Sequence, residues 1–287
     1  MEFSKTAANF NIKSIIGSEL TLIDGSHITL LVKNPIGYSN LCHLISKAHG
    51  YNGTSKWNEI NRTDPKLDPN TLKKYNDGLI LLTGCRKSSL SKNINNNEIN
   101  KAQQLLNSYI NTFNPKDVYI ELQNNLVHGD LNRNRQLVEL GIKNNIQVVA
   151  TNNVHFKDRS SFEAQDVLLC IAQNAYVDQE AERVKLTPEH FLKSSEEMRD
   201  LFNDLPEAFN NTLEIAMRCT FRPEKREPIL PKFADNEREE LRRQAAEGLE
   251  NRLASEPLAA SLNVYEQRLD DELDIIEKMG FPGYFLI

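Results

Sequence analysis

Two hydrophobic periods divide the chain. Up to about residue 160, short apolar runs alternate with segments whose apolar residues recur every three or four positions, predicting strands separated by helices. "SIIGSELTLI" and "SHITLLVKN" read as strands joined at Asp24-Gly25, a strong turn signal. "YSNLCHLISKAHG" places Leu41, Leu44 and Ile45 at helical spacing, and Gly50 can terminate it. "GLILLTGC" is a continuous apolar run, as expected of a strand covered on both faces. The Asn- and Ser-rich stretch 91–98 reads as a loop, and "NNNEINKAQQLLNSYINTF" as an amphipathic helix. "DVYIEL" and "IQVVATNN" read as strands, with the helix "DLNRNRQLVELGIKNN" between them. Residues 50–70 are polar and aperiodic, and Trp57 finds no place in the pattern.

After about residue 160 only helices are predicted. "SSEEMRDLF" opens with a capping-box match, Ser194 to Glu197. "LPEAFNNTLEIAMRC" places Pro206 at a first helical turn. "REPILPKF" reads as an extended linker, and "EREELRRQAAEGLENRLA" and "YEQRLDDELDIIEKM" as strongly charged helices. The expectation is an α/β domain over 1–190, a mainly parallel sheet or a barrel, followed by a helical segment over 191–287. In either architecture function collects at the carboxyl ends of strands. The chain opens on helical residues that lead straight into a strand and closes on "GFPGYFLI". That reads as a piece of a longer protein.

Composition narrows the function classes. The chain has 287 residues and a formal net charge of -6, which argues against a broad duplex-gripping surface. The cysteines Cys42, Cys85, Cys170 and Cys219 contain no C-x-x-C pair, so a zinc ribbon is excluded and a disulfide framework is not expected. Cys42, Cys170 and Cys219 fall in apolar helical patterns and are expected in the core. No apolar run has membrane-spanning length and the start has no signal-peptide core, so the expected location is cytoplasmic, with no membrane partner. There is no Walker loop, G-x-G-x-x-G or G-x-S-x-G.

Polar side chains at the predicted strand ends carry the candidate chemistry. Glu19 follows "IIGS", His49 ends the first long helix, Cys85 follows "ILLTG", and Asn153 and His155 follow "VVAT". Carboxylate, imidazole and thiol together are the donor set of zinc and related divalent metals. Each residue also has a plain structural reading. Glu19 suits an exposed strand position and His49 a helix C-terminus. Cys85 suits a small buried site, Asn152 and Asn153 a strand-end turn, and His155 a satisfied structural histidine. Spacing alone leaves these alternatives open. His27, His43, His128 and His190 sit in polar surroundings and are given no role. Glu121 could reach the same rim, though without an evident partner. Arg133, Arg135, Lys143, Arg242 and Arg243 are interleaved with acids and read as solvated helix faces, as do Asp270, Asp271, Glu272 and Asp274.

The segment "IIGSELTLIDGSHITLLVKNPIGYSNLCHLISKAHG" resembles the polymerase and histidinol phosphatase (PHP) domain of bacterial C-family DNA polymerases, the polymerase III alpha type. "GLILLTGCRKSSL", "VYIELQ", "VVATNNVHF", "FLKSSEEMRDLF", "NTLEIAMRC" and "DELDIIEKMGFPGYFLI" follow in that family's order. The wording "DGSHITLL" and "GYSNLC" is closer to the error-prone branch than to the main replicative one. The resemblance implies a distorted (β/α)7 barrel of PHP type, truncated at its N-terminal side, and then the helical approach to a polymerase palm.

The same resemblance implies a metal cleft at the barrel mouth. Glu19 would take the "GxE" position, His49 the position after the first helix, Cys85 the "GC" position, and Asn153 and His155 the D-x-H pair. The family's H-x-H strand and D-H motif have no counterpart in this sequence, and the D-x-H aspartate is Asn153, a neutral and weaker ligand. The implied site is therefore degenerate, holding one weakly bound zinc or manganese ion or none. The parent protein would be a DNA-directed DNA polymerase, with magnesium in a palm beyond Ile287. It would contact DNA and dNTPs through those downstream domains and would bind accessory subunits or a sliding clamp. The alternatives are a metal-dependent PHP phosphoesterase and a non-catalytic interaction module.

Overall fold

The computed structural model describes residues 1–50, 64–179, 182–225, 230–255 and 259–287. Most of the aperiodic stretch at 50–70, including Trp57, and the start of "REPILPKF" lie outside the described residues. The chain divides into two compact units, Met1–Pro223 and Glu224–Ile287.

The first unit opens with α1 (Glu2–Asn9) and the hairpin β1 (Gly17–Thr21) and β2 (His27–Val32). Gly25, at φ 75°, closes a tight turn by donating to the Leu22 carbonyl at 2.8 Å, and Leu22 N–H donates to Ser26 O at 2.8 Å. The loop is thus three residues, Ile23–Gly25, with glycine at the left-handed position that such loops require. α2 (Pro35–Ala48) follows, capped by Asn34, whose side chain accepts from Gly37 N–H at 3.0 Å. Then come β3 (Leu79–Leu82), α3 (Ser89–Asn95), α4 (Ile99–Thr112), β4 (Val118–Gln123), α5 (Asp130–Asn144) and β5 (Gln147–Thr151).

The strands form one sheet in the order β1-β2-β3-β4-β5. β1, β2 and β3 pair antiparallel, and β3, β4 and β5 parallel. The sheet is therefore mixed rather than mainly parallel, because the tight Ile23–Gly25 loop reverses the chain where a helical crossover would be needed for parallel pairing. Among the described residues it is open, with β1 and β5 at its edges. It is an α/β fold consistent with a fragment of a PHP-type barrel followed by a helical segment.

Strand alternation gives the sheet two faces. One carries Leu20, Ile28, Leu30, Leu81, Ile120 and Val148 and is buried beneath α2, α3, α4 and α5. The stretch read as a loop at 91–98 supplies part of that cover. Ser88 caps α3, and Leu90 and Ile94, one helical turn apart, are buried in the core. The other face carries Ile80, Leu82, Tyr119 and Val149.

Beyond β5 lie α6 (Phe162–Gln173), α7 (Ser195–Leu201) with its reciprocal Ser194–Glu197 capping box, and α8 (Pro206–Arg218) with proline in its first turn. Ile215 of α8 and the following Cys219 cover the second face of the sheet. Arg218 and Lys33 both bind the Asp117 carboxylate, the latter at 2.7 Å. α8 thus belongs to the sheet's unit, which runs to Pro223 and past the expected boundary at 190. The second face would otherwise leave four large apolar strand residues uncovered. Of the three cysteines expected in the core, Cys170 and Cys219 are buried, but Cys42 is exposed because it lies on the solvent side of α2.

Asn211, on α8, donates to Val148 O at 2.7 Å and so occupies an outward carbonyl of the edge strand β5. Asn211→Ala is expected to cost about 1 kcal/mol, the net worth of one such bond. Urea unfolding followed by circular dichroism checks this. An unchanged midpoint would mean that water replaces the amide at no cost.

The second unit holds α9 (Glu237–Ser255), α10 (Leu262–Met279) and α11 (Pro282–Leu286). Arg242 of α9 binds Glu277 at 2.6 Å and also contacts Asp270 and Asp274 of α10. The charged faces are solvent-exposed, as their sequence predicts, and laced together by this arginine.

Candidate metal centre

The hairpin register decides which polar side chains meet. Leu20 points to the helix-covered face, so Glu19 points to the other. Thr21 pairs with His27 and Glu19 with Thr29, which places His27 diagonal to Glu19 on the same face. His27 Nδ1 lies 2.9 Å from Glu19 Oε1. Cys85 arrives through Thr83 and Gly84 beyond β3. Gly84 has φ 91°, and a Cβ there would lie 2.2 Å from the His27 carbonyl oxygen, so only glycine lets the two strands' ends approach this closely. One potential ligand atom from each of Glu19, His27 and Cys85 lies within 4.8 Å of the others.

Glu121 of β4 is buried, with 7% exposure. Its Oε1 accepts from Thr151 Oγ1 at 2.6 Å and from Gln123 Nε2 at 3.0 Å, and the Gly84 backbone N–H also supports the carboxylate. Burial pushes the Glu121 carboxyl pKa up against these hydrogen bonds, and the nearby Glu19 charge adds to the rise. Burial likewise raises the Cys85 thiol, aided by Glu19 and Glu121. Without a cation, Cys85 is held as a thiol; a metal would displace its proton.

The remaining sequence-predicted residues divide. His155 follows β5 and is exposed; its backbone N–H donates to His190 O at 2.8 Å, and its ring lies 5.8 Å from that of His190. Burial lowers its pKa and the Glu19 charge opposes this, which sets it within electrostatic reach of the cluster. Asn153 is half-buried at the same strand end. Its neighbour Asn152 is structural: it accepts from Asn125 Nδ2 at 2.8 Å and donates to Phe191 O at 2.6 Å. His49 caps the C-terminus of α2, and the preceding Ala48 is buried in the main core. His49 is not among the residues whose ligand atoms cluster with Glu19. The structure brings Glu19 and Cys85 together and joins them with His27, a residue given no role from sequence.

Beneath the rim lies a buried polar network. Asp130 opens α5 and accepts from Asn125 N–H and Val127 N–H, each at 3.1 Å, through Oδ2. Arg133 Nη1 forms an ion pair with Asp130 Oδ1 at 2.9 Å, and Nη2 donates to Gln123 O at 3.2 Å. The side chains of this pair are 2% and 3% exposed, so Arg133 is not the solvated helix residue that its charged neighbourhood predicts. His190 is also buried, and its Nδ1 takes the Thr187 N–H at 3.1 Å. These contacts tie together the loops after β4 and β5 and the segment around 187–191.

The comparisons with known proteins agree with this architecture. Residues 1–125 match the family model of the PHP domain, and residues 239–287 match that of the bacterial DNA polymerase III alpha NTPase domain. The chain is thus similar to a PHP domain followed by a polymerase-type segment. In particular, it is 37% identical over 302 aligned positions to the DNA polymerase III subunit alpha of Caulobacter vibrioides (strain NA1000 / CB15N), covering 100% of this chain and 26% of that protein. It is 35% identical over 291 positions to that of Escherichia coli (strain K12), covering 98% and 24%, and 34% identical over 304 positions to that of Pseudomonas aeruginosa, covering 100% and 25%. The chain spans about a quarter of the length of these relatives. No described helix is long and apolar enough to cross a membrane.

Proposed function

We propose that this chain is the N-terminal part of a bacterial C-family DNA polymerase, which copies a template from dNTPs, and that its α/β unit is a structural platform rather than the polymerase centre. The order of the two family matches along one chain carries this reading. A PHP match at 1–125 is followed by a polymerase III alpha match at 239–287, with alignments to whole polymerase subunits running across 98–100% of the chain. Nucleotidyl transfer needs carboxylates free to hold two metal ions. Asp270 and Asp274 are instead engaged by Arg242, which supports placing the polymerase centre elsewhere in the parent protein.

In this reading DNA and dNTPs are bound by downstream domains, and the platform serves accessory subunits or a sliding clamp. The test is to read the gene beyond the Ile287 codon and assay its full product. An in-frame palm with paired aspartates and magnesium-dependent primer extension are expected. An immediate stop codon would overturn the reading in favour of an independent module. Membership of the error-prone branch rests on "DGSHITLL" and "GYSNLC" and predicts frequent misincorporation and extension across lesions by that full product; accurate synthesis that stalls at lesions would remove it.

A PHP phosphoesterase is favoured only by the Glu19, His27 and Cys85 cluster. Turnover of a model phosphodiester by metal-loaded protein, abolished by Cys85→Ser, would support it over the platform.

A further inference from the structure

We propose that the outward face of α6 is a self-association surface, on which two copies of this chain pack their α6 helices antiparallel about a two-fold axis between Val167 and Leu168. The proposal stands on the helix and its bracing and does not require the polymerase reading.

α6 turns its apolar residues outward. Of its twelve residues only Cys170 is buried. Ala164, Val167, Leu168, Ile171 and Ala172 are exposed, with Leu168 at 58% and Ile171 at 71%. Their spacing of three and four residues puts all five on one side of the helix. The two acids of α6 stand aside. Glu163 lies at the edge of that face, and Asp166 lies on the other side, bound to Arg183. A continuous apolar helix face in water is unfavourable, and such faces mark contact surfaces.

The face is also braced. Arg183 Nη1 and Nη2 donate to the two Asp166 oxygens at 2.6 and 2.7 Å, and Nη2 donates to Val177 O at 3.0 Å. The Gln173 side chain accepts from Val184 N–H at 2.8 Å and donates to Val184 O at 3.3 Å, as a neighbouring strand would. Exposed Val177 and Val184 are thus pinned back onto the helix. A surface that is already ordered loses less freedom on binding.

The order of residues along the face selects a second copy as its occupant. Reversal of α6 about the point between Val167 and Leu168 exchanges those two residues and exchanges Ala164 with Ile171. Two antiparallel copies therefore set a small side chain against a large one and form an isologous contact, in which each residue meets its exchange partner twice. The antiparallel arrangement also sets opposite ends of the two helix dipoles side by side. The chain's net charge of -6 opposes self-association in general, but this face carries no charge at its centre. One braced helix face is smaller than a standard interface of about 1,600 Å², so the dimer should exchange and dissociate at about 10–100 μM.

Sedimentation velocity of the whole chain, at concentrations bracketing that range, should show monomer giving way to dimer. Leu168→Arg and Ile171→Arg should each weaken dimerisation at least ~10-fold, because each charge enters the apolar contact twice. Both side chains are exposed, so the monomer's melting temperature should stay unchanged. Disulfide trapping reads the orientation. A mixture of Ala164→Cys and Ile171→Cys chains should cross-link between those two positions, located by mass spectrometry. Neither variant alone should cross-link at its new cysteine, since equivalent positions lie about 10 Å apart along the axis, beyond the ~7 Å Cα separation that a disulfide spans. The proposal is overturned by a monomer at every concentration, by a dimer that survives both arginine substitutions, or by cross-links in the single variants and none in the mixture. Protection of α6 from hydrogen exchange only in a longer gene product would assign the face to the rest of the parent protein and would equally overturn it. Should an arginine variant fail to fold, the cross-linking result decides, because it places no charge in the face.

Discussion

Asp130→Ala is expected to destabilise the first unit by about 3–5 kcal/mol, the cost of leaving a buried charge without its partner. Arg133 is 3% exposed and stays charged, and with Asp130 gone its remaining described hydrogen bond is to the Gln123 carbonyl. Burial lowers the Arg133 pKa and Asp130 is the leading influence against it, so deletion removes the group that makes the buried guanidinium tolerable. The Asn125 and Val127 amides lose their acceptor at the same time. Arg133→Ala should cost less, about 2 kcal/mol, a value for a hydrogen-bonded charge that keeps other support. The Asp130 carboxylate would keep both amides, the favourable N-terminal end of α5, and Arg86, whose Nη1 is already 3.7 Å away and 40% exposed. Urea midpoints of the full chain give the ranking, and hydrogen exchange at Asn125 and Val127 locates the effect. An Arg133→Ala loss equal to that of Asp130→Ala would mean that the pair, rather than the carboxylate's hydrogen bonds, sets the rim.

This network also marks where the sequence stops being informative. Strands and long helices follow from local period, and the capping box at Ser194 and the proline at 206 stand where their spacing puts them. Local period does not report contacts across the chain. Arg133 looks solvated because Asp130 is only one neighbour among many polar residues. Its burial comes from the Gln123 carbonyl and the loops that close over it. The same holds for His190, which is buried by packing against a segment more than thirty residues earlier. α8 covers the sheet for reasons that Pro206–Arg218 alone does not carry.

The metal candidate turns on a finer point. Read as a two-residue Asp24-Gly25 turn, the hairpin would pair Leu22 with His27 and send that histidine to the core face. The three-residue loop pairs Thr21 with His27 and sends it to Glu19. One residue of register therefore decides whether His27 is a candidate ligand. Its signal was present in the alternation of "HITLLV", whose buried positions Ile28, Leu30 and Val32 force His27 to the other face. His49 differs: its place after a helix matches the resemblance, but it is not part of the Glu19, His27 and Cys85 cluster.

Gly37→Ala should unseat the start of α2 and cost about 2–4 kcal/mol, near or above the usual range for overpacking. Helix propensity alone predicts the opposite sign, a gain of about 1 kcal/mol for alanine over glycine inside a helix. Geometry decides against propensity here. A Cβ on Gly37 would lie 1.9 Å from the Gly78 carbonyl oxygen, a backbone atom that no rotamer change can move. That carbonyl also accepts from Lys33 N–H at 2.9 Å, and Gly37 N–H is the donor to the Asn34 cap. Relief therefore requires α2 to withdraw from the lead into β3, losing one of these bonds.

Gly78→Ala meets the same contact from the other side. Its Cβ would lie 2.4 Å from Gly37 N, and its φ of 73° adds about 1–2 kcal/mol of left-handed strain. Because the two substitutions strain a shared contact, their effects should not add in the double variant. Gly248 of α9 is the control: a Cβ there meets nothing within 4 Å, so alanine should stabilise the second unit by about 1 kcal/mol. Thermal melts of the three single variants give the result. A stabilised Gly37→Ala would place the α2–β3 contact wider than the structure has it, while opposite signs at Gly37 and Gly248 would show that close backbone approach, not helical preference, selects glycine at the first.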